Sequence, residues 1–380
     1  LDSVLDIITL AIDPRDGTIW GGSYGGGLIK QTNNQIQVFK QNNSSLQAAI
    51  GDPGNIRVSG LVIDRNNHLW ISNYGAPQAL KLKTKEDKWV GFSIPFNLIE
   101  NATAQIIADE YEQLWIQSPK GNGLILYKYG NNIETTGDDQ WKLFKQGVGN
   151  GNLPSNNVLS ILKDKDNNIW IGTDDGIGII TCASSPFSGC EATIPIIQQD
   201  QFAGFLFKGE QVQCMAVDGA NQKWIGTQNG VWLLSADAKK IIHHFTVANS
   251  PLLSNDIKKI GIDPITGEVY FATFNGLCSY RGAATEPKEN LNNILVFPNP
   301  VPPLHNGPIA IRGLTENTIV KITELNGRMV FQSRSLGGQV VWNGRDYVGN
   351  KIASGVYLVF ARDEKGNENM VTKIVITSGR

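Results

Sequence analysis

The sequence predicts an all-β protein. Its first part is a β-propeller with six four-stranded blades visible in the sequence and a total of six or seven, and its second part is an immunoglobulin-like seven-stranded β-sandwich. Three observations lead to this fold. The 380 residues include 41 glycines and only 18% charged residues, a composition typical of strands joined by tight turns. An aromatic-centred pattern recurs six times along the chain, and seven short alternating segments follow it.

Each copy of the repeat has an apolar run ending in Asp, a polar turn, an aromatic-centred strand, a Gly-bearing turn and another apolar strand. The copies begin at Ile12, Ile63, Ala108, Lys163, Val217 and Ile262. Their anchor aromatics, 45 to 55 residues apart, are Trp20, Trp70, Trp115, Trp170, Trp224 and Tyr270. This period suits a four-stranded blade and is too long for a leucine-rich repeat, and the alternation indicates strands rather than helix pairs.

The residue types within one copy explain the pattern. Asp at the end of the first strand caps a turn through its side chain, and the anchor ring wedges between blades, burying roughly 150–250 Å². A second turn, such as Asp174-Asp175-Gly176, closes the next hairpin. The fourth strand carries less signal, and Gln35–Lys40 is one candidate for it.

The repeats assign residues 1–283 to the propeller, 284–293 to a polar linker and 294–380 to the sandwich. Asn326-Gly327, between two alternating runs, predicts a tight hairpin. The strands predicted for the sandwich are Ile294–Phe297, Pro308–Leu314, Ile319–Leu325, Arg328–Ser335, Gln339–Trp342, Gly355–Arg362 and Met370–Thr377. Because residue 1 already lies in a predicted first strand, we expect residues further upstream to supply a closing strand or a whole seventh blade.

Two of the four cysteines lie close together in the sequence. Cys182 and Cys190 flank a short segment with Pro and Gly, which favours a disulfide across a hairpin. Such a bond implies an exported protein, whereas four unrelated free cysteines would suit a cytosolic one. Cys214 and Cys278 lie in apolar strand patterns and are expected to be buried thiols.

Two segments carry a family resemblance. The pattern D-x-x-x-N-x-h-W-h-G-T-x-x-G-h, clearest at Asp166–Gly176 and Asp218–Gly230, resembles the two-component regulator propeller repeat. That repeat is common in bacterial sensor and cell-surface proteins, especially of Bacteroidetes. The resemblance covers about three quarters of the chain and implies a fold rather than a function.

The last quarter carries a second resemblance. V-F-P-N-P-V from Val296, W-N-G-R-D-x-x-G-N-x-I-A-S-G-V-Y from Trp342 and K-I-V-I-T from Lys373 are together similar to the C-terminal sorting domain of the type IX secretion system. A flagellar hook-capping sandwich shares part of the middle motif. The order of propeller and sandwich resembles the second half of the PorZ family. That resemblance implies an outer-membrane surface (or periplasmic) component that binds anionic lipopolysaccharide and presents it to a sortase, without assigning any binding residue.

Motifs for catalysis or metal binding are missing from the sequence. Asp164-x-Asp166-x-Asn168 has the spacing of a calcium loop, but no Glu follows at the twelfth position, so we interpret it as the repeat's turn. His243 and His244 are adjacent, so on a strand they point to opposite faces. No metal and no cofactor are predicted. With a net charge of −2, no basic face and no long apolar run, neither nucleic-acid binding nor a transmembrane segment is expected.

The fourth copy contains an insertion between Thr181 and Gln211. Insertions in propellers map to loops on one face, where binding usually occurs. Phe202, Phe205 and Phe207 would form either an exposed apolar surface or simply the outer strand of the fourth blade.

Three functions fit the sequence. The first is a non-catalytic surface scaffold of the type IX secretion attachment complex, whose partners are other proteins of that complex and anionic lipopolysaccharide. The second is a secreted polysaccharide-active enzyme, which four histidines in the whole chain make less favourable. The third is the periplasmic sensor of a hybrid two-component system, which would continue into a membrane segment.

Overall fold

The computed structural model describes residues 4–33, 35–199 and 202–378. These residues form an all-β protein, a β-propeller followed by a β-sandwich. The one helical segment in the described ranges is a 3-10 turn at Ile99–Asn101. None of the described segments is a helix long and apolar enough to cross a membrane. The contacts divide the chain into a first unit (residues 1–215 and 226–229) and a second unit (residues 216–225 and 230–380).

The first unit contains the first four blades, in which consecutive strands pair antiparallel. The first two blades are β1 Ile7–Ile12, β2 Ile19–Ser23, β3 Leu28–Thr32 and β4 Gln35–Phe39, then β5 Arg57–Ile63, β6 Leu69–Tyr74, β7 Leu80–Lys83 and β8 Trp89–Phe92. The third blade is β9 Ile106–Ala108, β10 Gln113–Ser118, β11 Gly123–Lys128 and β12 Gln140–Phe144. The fourth has β13 Val158–Lys163, β14 Ile169–Thr173 and β15 Gly176–Ile180, and a separate hairpin of β16 Ile196–Gln199 and β17 Phe202–Phe205.

The fifth blade has four strands, and the sixth has three in the described residues. They are β18 Cys214–Val217, β19 Lys223–Thr227, β20 Gly230–Leu234 and β21 Ile241–Phe245, then β22 Ile257–Ile262, β23 Glu268–Thr273 and β24 Gly276–Arg281. Four strands per sheet thus occur in the first, second, third and fifth blades, and three in the described residues of the fourth and sixth. In the fourth, the chain after β15 enters a disulfide-closed loop and meets β15 again at an Ile179–Thr193 bridge. In the sixth, Gly282 N–H donates to Gly267 O, one step beyond the Glu268–Arg281 pair, and the chain then continues past the first turn.

One aspartate organises the first turn in the second to fifth blades. In the fourth blade, Asp164 Oδ1 accepts hydrogen bonds from the amides of Asp166 and Asn168, both at 2.9 Å. Its Oδ2 accepts from Trp170 Nε1–H, also at 2.9 Å. The same Asp–Trp pair, with the two residues six positions apart, occurs at Asp64–Trp70, Asp109–Trp115, Asp164–Trp170 and Asp218–Trp224, with N···O distances of 2.8–3.2 Å. One carboxylate thus fixes both the turn and the ring.

The first and sixth blades have one more residue in this turn, so Asp and anchor are seven positions apart. Asp13 Oδ2 accepts from Arg15 Nη2 at 2.6 Å, and Asp263 Oδ2 from Thr266 Oγ1 at 2.7 Å. Gly17 and Gly267 supply the positive φ that the longer turn requires, at 73° and 72°. The Asp–Trp pair is therefore absent from both described turns.

A second aromatic, at the end of the outer strand, packs against the anchor ring. The centroid distance is 5.5 Å for Trp70–Phe92 and for Trp115–Phe144. The equivalent pairs in the other blades are Trp20–Phe39 and Trp224–Phe245. Gly123 begins the third strand at a φ of 99°, and a Cβ there would lie 2.3 Å from Phe144 O, so glycine is required for this close approach. The anchor and the outer Phe together fill the space between consecutive sheets.

The sandwich consists of two sheets with the orders β25-β26-β29 and β28-β27-β30-β31. Its strands are β25 Leu295–Phe297, β26 Ile309–Arg312, β27 Ile319–Glu324, β28 Met329–Arg334, β29 Gln339–Trp342, β30 Gly355–Arg362 and β31 Glu368–Ile376. Both sheets contribute to a core around Trp342, which is fully buried and donates from Nε1 to Arg345 O at 2.8 Å. These seven strands end within two residues of the predicted bounds.

Within the second unit, the residues that follow the sixth blade hydrogen-bond both to that blade and to the sandwich. Glu286 N–H donates to Pro264 O in the sixth blade, and Thr285 O accepts from Gly338 N–H in the sandwich, both at 2.8 Å. Gly219 lies against the same segment, because a Cβ there would be 1.9 Å from Thr285 O. The start of the predicted linker is thus an ordered part of this unit, and the boundaries at 283/284 and 293/294 stay predictions.

Candidate functional site

The anchor positions contribute to the packing of the blades. The five tryptophans are at most 5% exposed, whereas Tyr270 is 42% exposed. Tyr270 pairs with Gly261 in the same register in which Trp20 pairs with Ala11. The difference is that the rings of Trp20, Trp70 and Trp115 belong to cores shared with the following blade. Tyr270 is therefore equivalent in register but not in burial.

The structure joins Cys182 and Cys190 in a disulfide with a Cα–Cα distance of 5.7 Å. Lys142 Nζ on β12 donates to the carbonyls of Pro186 and Cys190, at 2.8 and 2.7 Å. The disulfide loop is thus attached to the outer strand of the third blade, and burial lowers the pKa of Lys142. Of the two free cysteines, Cys214 is buried, but Cys278, expected to be buried, is partly exposed because it lies on the open third strand of the sixth blade.

A cleft of about 500 Å³ lies beside this loop, between Lys145, the glycine-rich segment 147–151 and Glu191. The Glu191 carboxylate accepts hydrogen bonds from the amides of Gly149 and Gly151. Backbone amides arranged in this way favour an anionic group. Here Glu191 of the chain itself supplies the anionic group, and its side chain lines one side of the cleft.

The predicted apolar surface of the insertion is present only in part. Phe205 on β17 is 50% exposed, whereas Phe207 is buried. The side chain of Phe202 lies outside the described side chains. Neither alternative is met in full, because β16 and β17 pair with each other rather than extending the sheet of the fourth blade.

Another cleft lies where the second strands of the first two blades end. It has a volume of about 360 Å³, and we call it the Arg57 cleft. The Arg57 guanidinium lies 5.1 Å from the ring centroid of Tyr24 and 5.8 Å from that of Tyr74. Its Nη2 donates to Asp52 Oδ2 at 2.7 Å. An arginine held between two tyrosine rings and a carboxylate keeps a fixed orientation.

A second carboxylate closes the other side of the cleft. Tyr74 Oη–H donates to Glu100 Oε2 at 2.7 Å, and Lys120 Nζ lies 3.7 Å from Glu100 Oε1. Burial, together with this carboxylate, raises the pKa of the Tyr74 hydroxyl. The Tyr74 hydrogen bond lowers the pKa of Glu100. Glu100 and Asn101 both have positive φ, 59° and 43°, an unusual backbone conformation that is concentrated at functional sites.

The residues of the Arg57 cleft were not identified from the sequence, although a signal existed. Tyr24 and Tyr74 each follow their anchor tryptophan by four residues, and the other four copies have Pro119, Asp174, Gln228 and Phe274 there. A residue type that departs from the repeat in two neighbouring copies indicates a local role. An arginine and carboxylates beside tyrosine rings suit a polar ligand, because the charged groups bind hydroxyl or anionic substituents.

No group of three His, Cys, Asp or Glu side chains that would hold a metal ion occurs in the described ranges. Asp164, the calcium-loop candidate, uses its carboxylate for the turn and the Trp170 ring. His243 and His244 occupy successive positions of β21, and His244 stacks on Trp232. The Arg57 cleft is therefore described by its arginine, tyrosine and carboxylate side chains.

The structure defines a β-propeller followed by a β-sandwich. A model of the two component regulator propeller matches residues 152–175. The chain is similar to PorZ of Porphyromonas gingivalis, described as an essential bacterial surface component of the type IX secretion system. The TM-score is 0.70 and the identity 26%, over 98% of this chain and 52% of PorZ. The chain thus spans about half the length of PorZ.

Two other solved structures are similar at lower identity. Virginiamycin B lyase of Staphylococcus aureus has a TM-score of 0.51 and 12% identity, over 82% of this chain and 92% of the lyase, which shows a common fold alone. The extracellular domain of a hybrid two-component system of B. thetaiotaomicron has a TM-score of 0.43 and 13% identity, over 98% and 57% of the two chains. No curated protein matches the chain in sequence.

Proposed function

We propose that the chain is a non-catalytic surface component of the type IX secretion attachment complex. The observation that carries this proposal is the similarity to PorZ over nearly the whole chain, at 26% identity. An exported location, at the outer-membrane surface or in the periplasm, accords with the disulfide between Cys182 and Cys190. The proposal excludes a membrane-anchored sensor and a polysaccharide-active enzyme as the main role.

We further propose that the chain binds anionic lipopolysaccharide, with the Arg57 cleft as the saccharide site. Arg57 and Lys120 supply positive charge there, and Tyr24, which is exposed beside Arg57, supplies an aromatic ring. A phosphate or carboxylate on a sugar would exchange with Asp52 for the Arg57 fork, because both are oxyanions that guanidinium binds in the same geometry.

The test is binding of the whole chain to immobilised anionic lipopolysaccharide and to lipopolysaccharide without the anionic repeat. Arg57→Ala is expected to weaken binding to the anionic form by about tenfold, which is the loss of about 1.4 kcal/mol from one charge-assisted contact. Arg334→Ala removes an arginine of the sandwich and serves as the matched control. Equal binding of both lipopolysaccharides, or an unchanged affinity in Arg57→Ala, would contradict this assignment.

Presentation of the bound lipopolysaccharide to a sortase partner is the last part of the proposal. The expected result is a ternary complex that elutes together only when the chain, the sortase and anionic lipopolysaccharide are all present. Polysaccharide cleavage by the chain alone would instead favour the enzyme hypothesis.

A further inference from the structure

The anchor of the first blade differs from the other four tryptophans in its hydrogen bonding. Trp20 is 5% exposed as a whole residue, and its ring belongs to the core of the first two blades. In the second to fifth blades the aspartate accepts from the indole N–H, but Asp13 is occupied by Arg15. Within the described part of the chain, no acceptor bonds to Trp20 Nε1, and this atom is not among the fully buried ones that lack a partner. The indole N–H therefore reaches solvent and can donate to a ligand.

A second departure lies on the neighbouring strand. The residue paired with the anchor is Leu82 in the second blade, Leu126 in the third and Ile179 in the fourth, but Lys30 in the first. Its ammonium lies 5.4 Å from the centroid of the Trp20 ring. Among the described ranges it makes no ion pair within 4.0 Å. A charged side chain thus covers the ring where the other blades place an aliphatic one.

The two departures open onto one cleft, which we call the Trp20 cleft. It has a volume of about 120 Å³ and is lined mainly by the first turn of the first blade and the end of β7. Arg15 pairs with Asp13, and Lys83, which is 8% exposed, pairs with Asp87. Asp16 Oδ1 accepts from Thr18 N–H at 2.9 Å. The carboxylates of the cleft are therefore engaged within the chain.

The charges and the hydrogen-bonding groups specify the kind of ligand. Three cations of the lining have a carboxylate partner: Arg15 pairs with Asp13, Lys83 with Asp87 and Lys85 with Glu86. Lys30 is the cation of the lining that has no ion pair among the described residues. The two unengaged groups, the Trp20 N–H and the Lys30 ammonium, are both donors. The ligand that completes the site must accept hydrogen bonds and carry negative charge. The volume equals that of about four water molecules, enough for one small group and too small for a saccharide ring.

We propose that the Trp20 cleft binds a single oxyanion group, a carboxylate or a phosphate, with the Trp20 N–H as hydrogen-bond donor and Lys30 as counter-charge. The inference rests on the first two blades and does not depend on the function proposed above. A free anion and an anionic substituent of a larger molecule share this chemistry, since the cleft takes only the charged group.

The test uses the indole N–H signals of the ¹⁵N-labelled whole chain, with Trp20→Phe to assign the Trp20 signal. Phosphate, acetate and chloride are titrated at matched ionic strength. The expected result is a saturable shift of the Trp20 signal with phosphate or acetate and none with chloride. A response to phosphate alone identifies a phosphate site, and a response to acetate alone identifies a carboxylate site.

Lys30→Leu restores the residue type of the second and third blades, so the variant is expected to fold. It should weaken anion binding at least tenfold, whereas Lys239→Leu, which removes an exposed lysine of the fifth blade, should leave binding unchanged. The proposal is overturned if the Trp20 signal responds to neither anion, if chloride shifts it equally, or if Lys30→Leu binds as tightly as the wild type.

Discussion

The third and first blades differ at three equivalent positions: the turn aspartate, the anchor tryptophan and the residue paired with the anchor. In the third, Asp109 accepts from two turn amides and from the Trp115 indole, and Leu126 covers the ring. In the first, Asp13 binds Arg15, and Lys30 covers Trp20. The anchor ring is buried in both blades. The comparison shows that the anchor ring can be buried without its hydrogen bond to the aspartate.

The sixth blade extends the comparison, because it keeps the register and loses the burial. Tyr270 occupies the anchor position, but its face of β23 is exposed, while Val269 and Phe271 on the opposite face are buried. A ring that is not covered by another sheet contributes little hydrophobic free energy. The third blade thus has a buried anchor ring with the Asp–Trp pair, and the first has a buried ring without the pair. The sixth keeps the register of the anchor position without its burial.

The largest expected effect is the loss of a buried anchor. Trp115→Ala should lower the free energy of unfolding by about 4 kcal/mol, because it leaves a cavity beside Phe144 and removes the partner of Asp109. Tyr270→Ala should cost about 1 kcal/mol or less, since the side chain is already half in solvent. Urea unfolding followed by far-ultraviolet circular dichroism measures both. Similar losses in the two variants would show that register, rather than burial, sets the contribution of an anchor.

The next effect isolates the carboxylate. Asp109→Ala removes the acceptor of three buried donors and should cost about 3 kcal/mol. Burial raises the pKa of this carboxyl, and the three hydrogen bonds oppose that effect.

Asp13→Ala is the matched variant in the first blade and should cost about 1 kcal/mol, because half-exposed Arg15 then returns to water. Urea unfolding of the two variants gives the difference directly. Equal costs would mean that the indole hydrogen bond adds nothing to the turn.

The fold followed from the sequence because its main signals are local. The anchor spacing, the Asp before each turn and Asn326-Gly327 each act within one hairpin. The outer aromatics Phe39, Phe92, Phe144 and Phe245 were missed because they follow the anchor by 19 to 29 residues, a distance that varies with the loops. Gly219 was also missed, since its requirement arises from Thr285, which is distant in the sequence.

The candidate sites were less predictable, because they combine residues from separate loops. The Arg57 cleft joins Asp52, Tyr74 and Glu100 through tertiary contacts that no local pattern specifies. The one readable signal for the Trp20 cleft was the seven-residue spacing from Asp13 to Trp20 in place of six. The absence of a fourth strand in the fourth blade depends on where the disulfide loop returns, which spacing alone does not fix.

The last prediction contrasts the lysines on the third strands of the first two blades. Lys30 lies over the Trp20 ring, whereas Lys81 is fully buried and donates to Gln47 Oε1 and Gln78 Oε1, both at 3.1 Å. Burial lowers the pKa of Lys81 to about 8. Between about pH 8 and 10.5 the unfolded chain therefore binds more protons at this residue than the native one. The Lys81 contribution to stability should thus rise by about 2 kcal/mol from pH 8 to 10. Urea unfolding across this range measures the rise as the difference between wild type and Lys81→Met, which lacks the titrating group. Lys239→Met, with its exposed side chain, should follow the wild type, and a constant wild-type-to-Lys81→Met difference across that range would mean that the buried amine is not the titrating group.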